Sequence, residues 1–153
     1  MSIFSGLNRE RYGPIVLALA AFTICMAVYL KYDLSLTSCF TDKKAEFLSV
    51  GISLGAIWAG FIGVIMGLFM TLSNTDILEK LKDSGYINEL HSYLISSIKG
   101  SILFSMISFT GFFFLKSNFE YYFCIWLGSI AYAGMTFLRA ANISYNIMKK
   151  VHK

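Results

Sequence analysis

Four long apolar stretches, separated from one another by shorter polar stretches, dominate the pattern of the chain. A helix needs about 20 mainly apolar residues to cross a bilayer, and each stretch reaches or approaches that length. We therefore predict an all-α, polytopic membrane protein in which one domain contains four transmembrane helices. The predicted spans cover residues 14–31, 47–72, 97–116 and 121–142.

The second span carries the clearest signal, since no charged residue occurs from Phe47 to Thr75. A helix in a soluble bundle needs a polar face, and this stretch has none. The first span begins at Pro14, a residue that suits the first turn of a helix. The third span has a short uncharged stretch, from Gly100 to Leu115, and Lys99 can extend its ammonium group from there towards the membrane surface.

Composition agrees with this pattern. Hydrophobic residues make up 56% of the chain and charged residues only 14%, against about 25% charged residues in soluble domains. The chain has 153 residues, and the single core that a chain of this length forms is too small to bury that much apolar surface. The net charge is +4, but the basic residues are spread between the spans. We therefore expect the partner of these charges to be the lipid bilayer, with no direct binding of nucleic acid.

Lysine and arginine are distributed unevenly between the two sides of the predicted membrane. Nine lie on the side of the termini and four on the other side. The positive-inside rule then places both termini, and the loop between spans 2 and 3, in the cytoplasm. Aromatic residues at the opposite ends of spans 1 and 4 predict a belt at the outer surface: Tyr29, Tyr32, Tyr121, Tyr122 and Trp126.

Small residues recur every four positions in span 2. Such residues allow a second helix backbone to approach closely, which stabilises helix pairs in lipid. The row predicts either tight packing within one protomer or an interface in a homo-oligomer. Its members are Gly51, Gly55, Ala59, Gly63 and Gly67.

A short helical hairpin is predicted at about 73–96, between spans 2 and 3. Asp76 and Glu79 suit a helix start, and Asp83-Ser84-Gly85 suits a turn. Its charged residues form either a solvated face or a docking surface for a cytoplasmic protein. These residues are Glu79, Lys80, Lys82, Asp83 and Glu89.

The cores of the spans contain no Asp, Glu, His, Lys or Arg residue, which argues against a proton-coupled transporter. Lys99 and Arg139 lie near the predicted cytoplasmic boundary, where we expect them to anchor lipid head groups. Span 3 has a partly polar face, which suits either a pore lining or hydrogen bonds between helices. Its residues are Ser101, Ser105, Ser108 and Thr110. We find no catalytic motif, and we expect no enzyme activity, cofactor or metal.

Two of the three cysteines lie towards the predicted outer side. Cys39 belongs to the loop after span 1, and Cys124 lies about one turn inside span 4. A disulfide between them is one interpretation, and two free thiols are the other.

The stretch from Gly63 to Tyr86, continued by Ser97–Ser101, joins the small-residue helix to the hairpin and to span 3. In this layout the chain resembles the small four-span membrane subunits of bacterial anti-phage defence systems, in particular the membrane component of Kiwa. The resemblance implies an oligomeric sensor in the bacterial inner membrane that holds a soluble DNA-binding partner. It transfers no functional residue.

Three functions are consistent with the residues. The first is a non-enzymatic, homo-oligomeric sensor or scaffold that recruits a cytoplasmic protein. The second is a pore or channel subunit that alters membrane permeability. The third is a membrane immunity or exclusion protein that acts without a second gene.

Overall fold

The computed structural model describes the backbone of residues 3–32, 43–71, 86–115 and 119–151, and side chains within 12–31, 43–71, 90–115 and 119–146. These residues form four long helices and no strand. A short 3₁₀ helix, Gly111–Phe114, continues the third of them. The helices are α1 (Ile3–Tyr32), α2 (Lys44–Thr71), α3 (Tyr86–Thr110) and α4 (Phe119–Val151).

Each of the four helices contains a segment that is long and apolar enough to cross a membrane. The mean hydropathies of these segments are 2.2, 2.1, 1.4 and 1.3 in chain order. The predicted all-α fold with four membrane-length helices is therefore confirmed. The segments are Tyr12–Lys31, Lys44–Thr71, Leu90–Phe114 and Phe119–Asn146.

The helices extend beyond the predicted spans at several ends. Helix α1 begins at Ile3, so Pro14 lies inside the helix rather than in its first turn. Helix α3 begins at Tyr86, within the second half of the predicted hairpin, and α4 continues to Val151. Polar residues end contact with lipid without ending a helix, because the backbone hydrogen bonds are the same in water and in lipid. The rest of the hairpin, residues 73–85, lies outside the described residues.

Helix α4 is the centre of the packing. Helix α1 packs against α4, α4 against α3, and α3 against α2, while α2 also reaches α4 through a smaller contact. Within the described chain, α1 makes no comparable contact with α2 or α3. The order in space is therefore α1, α4, α3, α2, which differs from the order in sequence.

Neighbouring helices run antiparallel, which defines two ends of the bundle. Tyr29 of α1 lies against Tyr121 of α4, and Gly100 of α3 lies against Thr136 of α4. One end, here the loop end, therefore collects Lys31, Lys44, Phe114 and Phe119. The other, the terminal end, collects Tyr12, Thr71, Leu90 and Asn146.

Two hydrophobic clusters hold the bundle together. Near the loop end, Leu48, Phe104 and Trp126 join α2, α3 and α4. Near the terminal end, Ile62 of α2 packs with Leu94 of α3 and Ala140 of α4.

The outer surface of the bundle is apolar. Val16 and Ile24 of α1, and Val50 and Ile57 of α2, are each more than 60% exposed. Only 11% of the apolar segments of α1 and α2 is buried within the protomer. Exposed apolar surface of this extent is typical of a protein that contacts lipid.

Candidate functional sites at the helix interfaces

The first half of the predicted small-residue row packs inside the protomer. A side chain added at Gly51 would place its Cβ 2.6 Å from the Ser108 Oγ of α3. One added at Gly55 would lie 2.7 Å from the carbonyl oxygen of Ser101. Both positions are buried, so the absence of a side chain sets how closely α2 and α3 approach.

The second half of that row lies on a different face of α2. An added Cβ at Gly63 or Gly67 would meet nothing within 4 Å. A helix turns about 100° per residue, so a strict four-residue spacing rotates about 40° at each step. Between Gly51 and Gly67 the row moves about 160° around the axis. It therefore starts against α3 and ends on the outer surface.

The outer surface of α2 carries its own continuous row of small residues, which we call the outer small face. Its members combine four- and three-residue spacings, which keeps them within a sector of about 80° along the whole helix. All eight are exposed within the protomer. They are Ala45, Ser49, Ser53, Ala56, Gly60, Gly63, Gly67 and Thr71.

The hydroxyl groups on this face are satisfied within α2. Ser49 donates to the carbonyl of Ala45, and Ser53 donates to the carbonyl of Ser49, each at 3.0 Å. Thr71 likewise donates to the carbonyl of Leu68 at 2.9 Å. The face is therefore small and free of unsatisfied donors along the membrane-spanning length, as close contact with another helix in lipid requires.

Two serines of the polar row of α3, Ser105 and Ser108, form hydrogen bonds between helices. Ser105 donates to the Ile52 carbonyl of α2 at 3.2 Å, and the indole N–H of Trp126 donates to Ser108 at 2.9 Å. Ser101 is fully buried, but its hydroxyl donates within α3, to the carbonyl of Ser97. The bonds of Ser105 and Ser108 correspond to the helix-packing interpretation of the row.

The predicted aromatic belt is only partly present. Tyr29 and Tyr121 meet edge-to-face at 5.1 Å near the loop end. Tyr122 and Trp126, by contrast, are buried in the core. The Tyr122 hydroxyl donates to the carbonyl of Ile107, so it fixes the end of α3 on α4. The difference comes from the direction in which each residue faces around its helix: Tyr121 faces outward, whereas Tyr122 and Trp126 face the core. A count of aromatic residues near a helix end does not include this direction.

Cys124 lies against Cys25, the remaining one of the three cysteines of the chain. The two Sγ atoms are 2.8 Å apart at the contact between α1 and α4, and both side chains are buried. Cys39, the partner of Cys124 in one of the two interpretations of the sequence, lies outside the described residues. The sequence did contain one indication of this contact. Cys25 and Cys124 lie at similar distances from the loop ends of their helices, and therefore at similar depths in the predicted membrane.

Arg139 lies about 30 Å along α4 from Phe119, which matches the thickness of a hydrocarbon core. Its guanidinium carbon lies 3.7 Å from the ring centroid of Tyr93, and its Nε and Nη2 atoms are buried without a hydrogen-bond partner. Lys99 is exposed on α3, about 9 Å deeper than Tyr93. Helical side chains tilt towards the N-terminus, so Lys99 points to the terminal end. Head-group anchoring by both residues stays a prediction.

The proposed docking residues of the hairpin are not placed by the structure. Glu79, Lys80, Lys82 and Asp83 fall outside the described residues, as does the side chain of Glu89. Among the side chains that are described, no group of three or more His, Cys, Asp or Glu residues is arranged to hold a metal ion.

Comparison of the chain with protein-family models, with curated proteins and with solved structures finds no match.

Proposed function

We propose that this chain is a non-enzymatic membrane protein that self-associates and serves as a sensor or scaffold for a cytoplasmic partner. The observation that carries the proposal is the outer small face of α2. Packing inside the protomer accounts for Gly51 and Gly55, because a side chain at either position would collide with α3. Gly60, Gly63 and Gly67 have no such neighbour.

Lipid provides no hydrophobic drive for helices to associate, so contact area decides whether they pair. A flat face lets the backbone of a second helix approach, which multiplies dispersion contacts along the pair. Two copies that meet through the same face form a contact related by two-fold symmetry, the commonest kind in homo-oligomers. Helix α2 is suited to this role because α1 does not cover it.

The finer parts of the proposal concern orientation and biological setting. The excess of basic residues on the side of the termini supports cytoplasmic termini. The layout resemblance supports a place in the bacterial inner membrane and a role in anti-phage defence. The hairpin and its charged residues would then form the cytoplasmic surface on which a protein partner docks.

Self-association is tested by enlarging one residue on the outer small face. Ala56→Ile and Gly63→Ile insert a branched side chain where a second backbone would lie, so we expect both variants to become monomeric in liposomes and in native mass spectra. Ala20→Ile is the matched control, since Ala20 is exposed on α1. A monomeric wild-type protein, or variants that keep the wild-type stoichiometry, would contradict the proposed interface.

Partner recruitment needs a separate test. Lys80→Glu combined with Lys82→Glu should abolish co-purification of the cytoplasmic protein and leave membrane insertion unchanged. The same reversals at Lys149 and Lys150 control for the change in net charge. Co-purification that survives the hairpin reversals would remove this docking site from the proposal.

A further inference from the structure

Two buried thiols face each other where α1 packs on α4. The Sγ atoms of Cys25 and Cys124 are 2.8 Å apart. Non-bonded carbon atoms make their best contact at about 3.5–4.0 Å, and sulfur is the larger atom. A disulfide requires about 2.05 Å between the sulfurs, so a closure of less than about 1 Å would form the bond.

A shared metal ion would require the opposite movement. Metal–thiolate bonds of about 2.3 Å in tetrahedral geometry hold two sulfurs about 3.8 Å apart, and a linear arrangement holds them farther apart. The sulfurs would have to separate by about 1 Å in a helix contact that is already packed. The described residues also supply no group of three metal-ligating side chains. The geometry therefore favours oxidation of the pair over metal binding.

The surroundings of the pair hold the two helices in register. Gly128 lets the α1 backbone approach α4, because a Cβ there would lie 3.3 Å from the carbonyl oxygen of Ala18. On the other side of the cysteines, Tyr29 and Tyr121 meet at 5.1 Å. The thiols therefore lie between two fixed contacts, and rotation of α1 does not carry them apart.

Depth places the pair near the loop end. Cys25 lies six residues, about 9 Å, from the end of its membrane segment at Lys31. Cys124 lies five residues, about 7.5 Å, from Phe119. A small uncharged oxidant such as hydrogen peroxide can reach this depth without a water-filled path.

We infer that Cys25 and Cys124 form a redox-reversible disulfide that locks α1 onto α4. One sulfur attacks the peroxide O–O bond, becomes a sulfenic acid and releases one water. The second thiol displaces the sulfenic oxygen, forms the S–S bond and releases a second water. The two thiols lose two electrons and two protons in total, and one peroxide becomes two waters.

The bond would control the attachment of one helix. Within the described chain, α1 packs against α4 and against no other helix to a comparable extent. A covalent link between residues 99 positions apart constrains the unfolded chain strongly. In the reduced protein only non-covalent contacts hold α1, whereas in the oxidised protein α1 cannot leave α4.

The test uses the full chain with Cys39→Ser, reconstituted in liposomes and treated with hydrogen peroxide. The protein is then denatured without reductant, free thiols are alkylated, and intact and digested masses are measured. We expect the oxidised chain to take up no alkyl group and to yield a peptide pair joined through Cys25 and Cys124. Dithiothreitol should restore two alkylated thiols.

Two further variants and a thermal measurement complete the test. Cys25→Ser or Cys124→Ser in the same background should form no intramolecular link. The unfolding temperature of the oxidised chain should exceed that of the reduced chain by several degrees, and neither serine variant should show this shift. The inference is overturned if peroxide leaves both thiols free for alkylation, or if it oxidises single cysteines without joining them.

Discussion

At the scale of single residues, the fit between α2 and α3 depends on side chains that are absent. Gly51 and Gly55 each face a serine of α3 at a distance that leaves no space for a methyl group. Sequence spacing predicted that these glycines pack against a helix. It could not show that Gly63 and Gly67 leave this contact, because that depends on the rotation of α2 relative to α3.

Gly55→Ala should destabilise the fold by about 1–3 kcal/mol, because the added methyl group overlaps the backbone of α3. Gly60→Ala is the matched control in the monomer. Nothing lies within 4 Å of its added group, so it should not destabilise the fold, and the higher helix propensity of alanine should raise stability by up to about 1 kcal/mol. Reversible denaturant unfolding of the monomer, followed by tryptophan fluorescence, measures both. Equal effects of the two substitutions would show that α2 packs through another face.

The bond from Trp126 to Ser108 should contribute measurably in the membrane. Hydrogen bonds between membrane helices contribute on average about 0.6 kcal/mol and at most about 1.7 kcal/mol. A double-mutant cycle of Trp126→Phe and Ser108→Ala should give a coupling energy in that range. A coupling of zero would mean that the indole and the hydroxyl, 2.9 Å apart in the structure, do not interact.

At the scale of the helices, hydropathy predicted the existence of the four spans but not the ends of the helices. The hydropathy of a window reports contact with lipid, whereas a helix ends where its backbone hydrogen bonds end. Helix α1 therefore begins at Ile3, well before the apolar stretch. The sequence also could not predict that α1 packs against α4, because both helices are apolar on several sides. Only the geometry of that contact identifies Cys25 as the neighbour of Cys124.

The central position of α4 makes its small buried residues sensitive to enlargement. Ala140 is fully buried against Ile62 and Leu94. Ala140→Leu should cost about 1–3 kcal/mol, because three helices meet there. Ala20→Leu, on the exposed surface of α1, should change stability by less than about 0.5 kcal/mol. Thermal unfolding in detergent compares the two, and a tolerated Ala140→Leu would contradict the packing order around α4.

At the scale of the whole molecule, the protein differs from a soluble bundle in its outer surface. Large apolar side chains cover the outside, while the interior combines two hydrophobic clusters with buried serines and closely packed glycines. Composition alone was sufficient to predict more apolar surface than one small core can bury, since 56% of the residues are hydrophobic. Composition does not specify a partner or a trigger. Those properties depend on surfaces that meet other molecules, and no internal packing rule constrains them.

Four crossings require that both termini lie on one side of the membrane and both outer loops on the other. Labelling single cysteines in intact and permeabilised cells with a membrane-impermeant maleimide tests this directly. With Cys25 and Cys124 changed to serine, the native Cys39 provides one probe of the outer side. In chains that also lack Cys39, Ser117→Cys provides the second outer probe, and Ser2→Cys, Ser84→Cys and His152→Cys probe the other side.

We predict that Cys39 and Ser117→Cys react in intact cells, and that Ser2→Cys, Ser84→Cys and His152→Cys react only after permeabilisation. Reaction of Ser2→Cys and His152→Cys from opposite sides would contradict the four-span fold. So would reaction of Cys39 and Ser117→Cys from opposite sides.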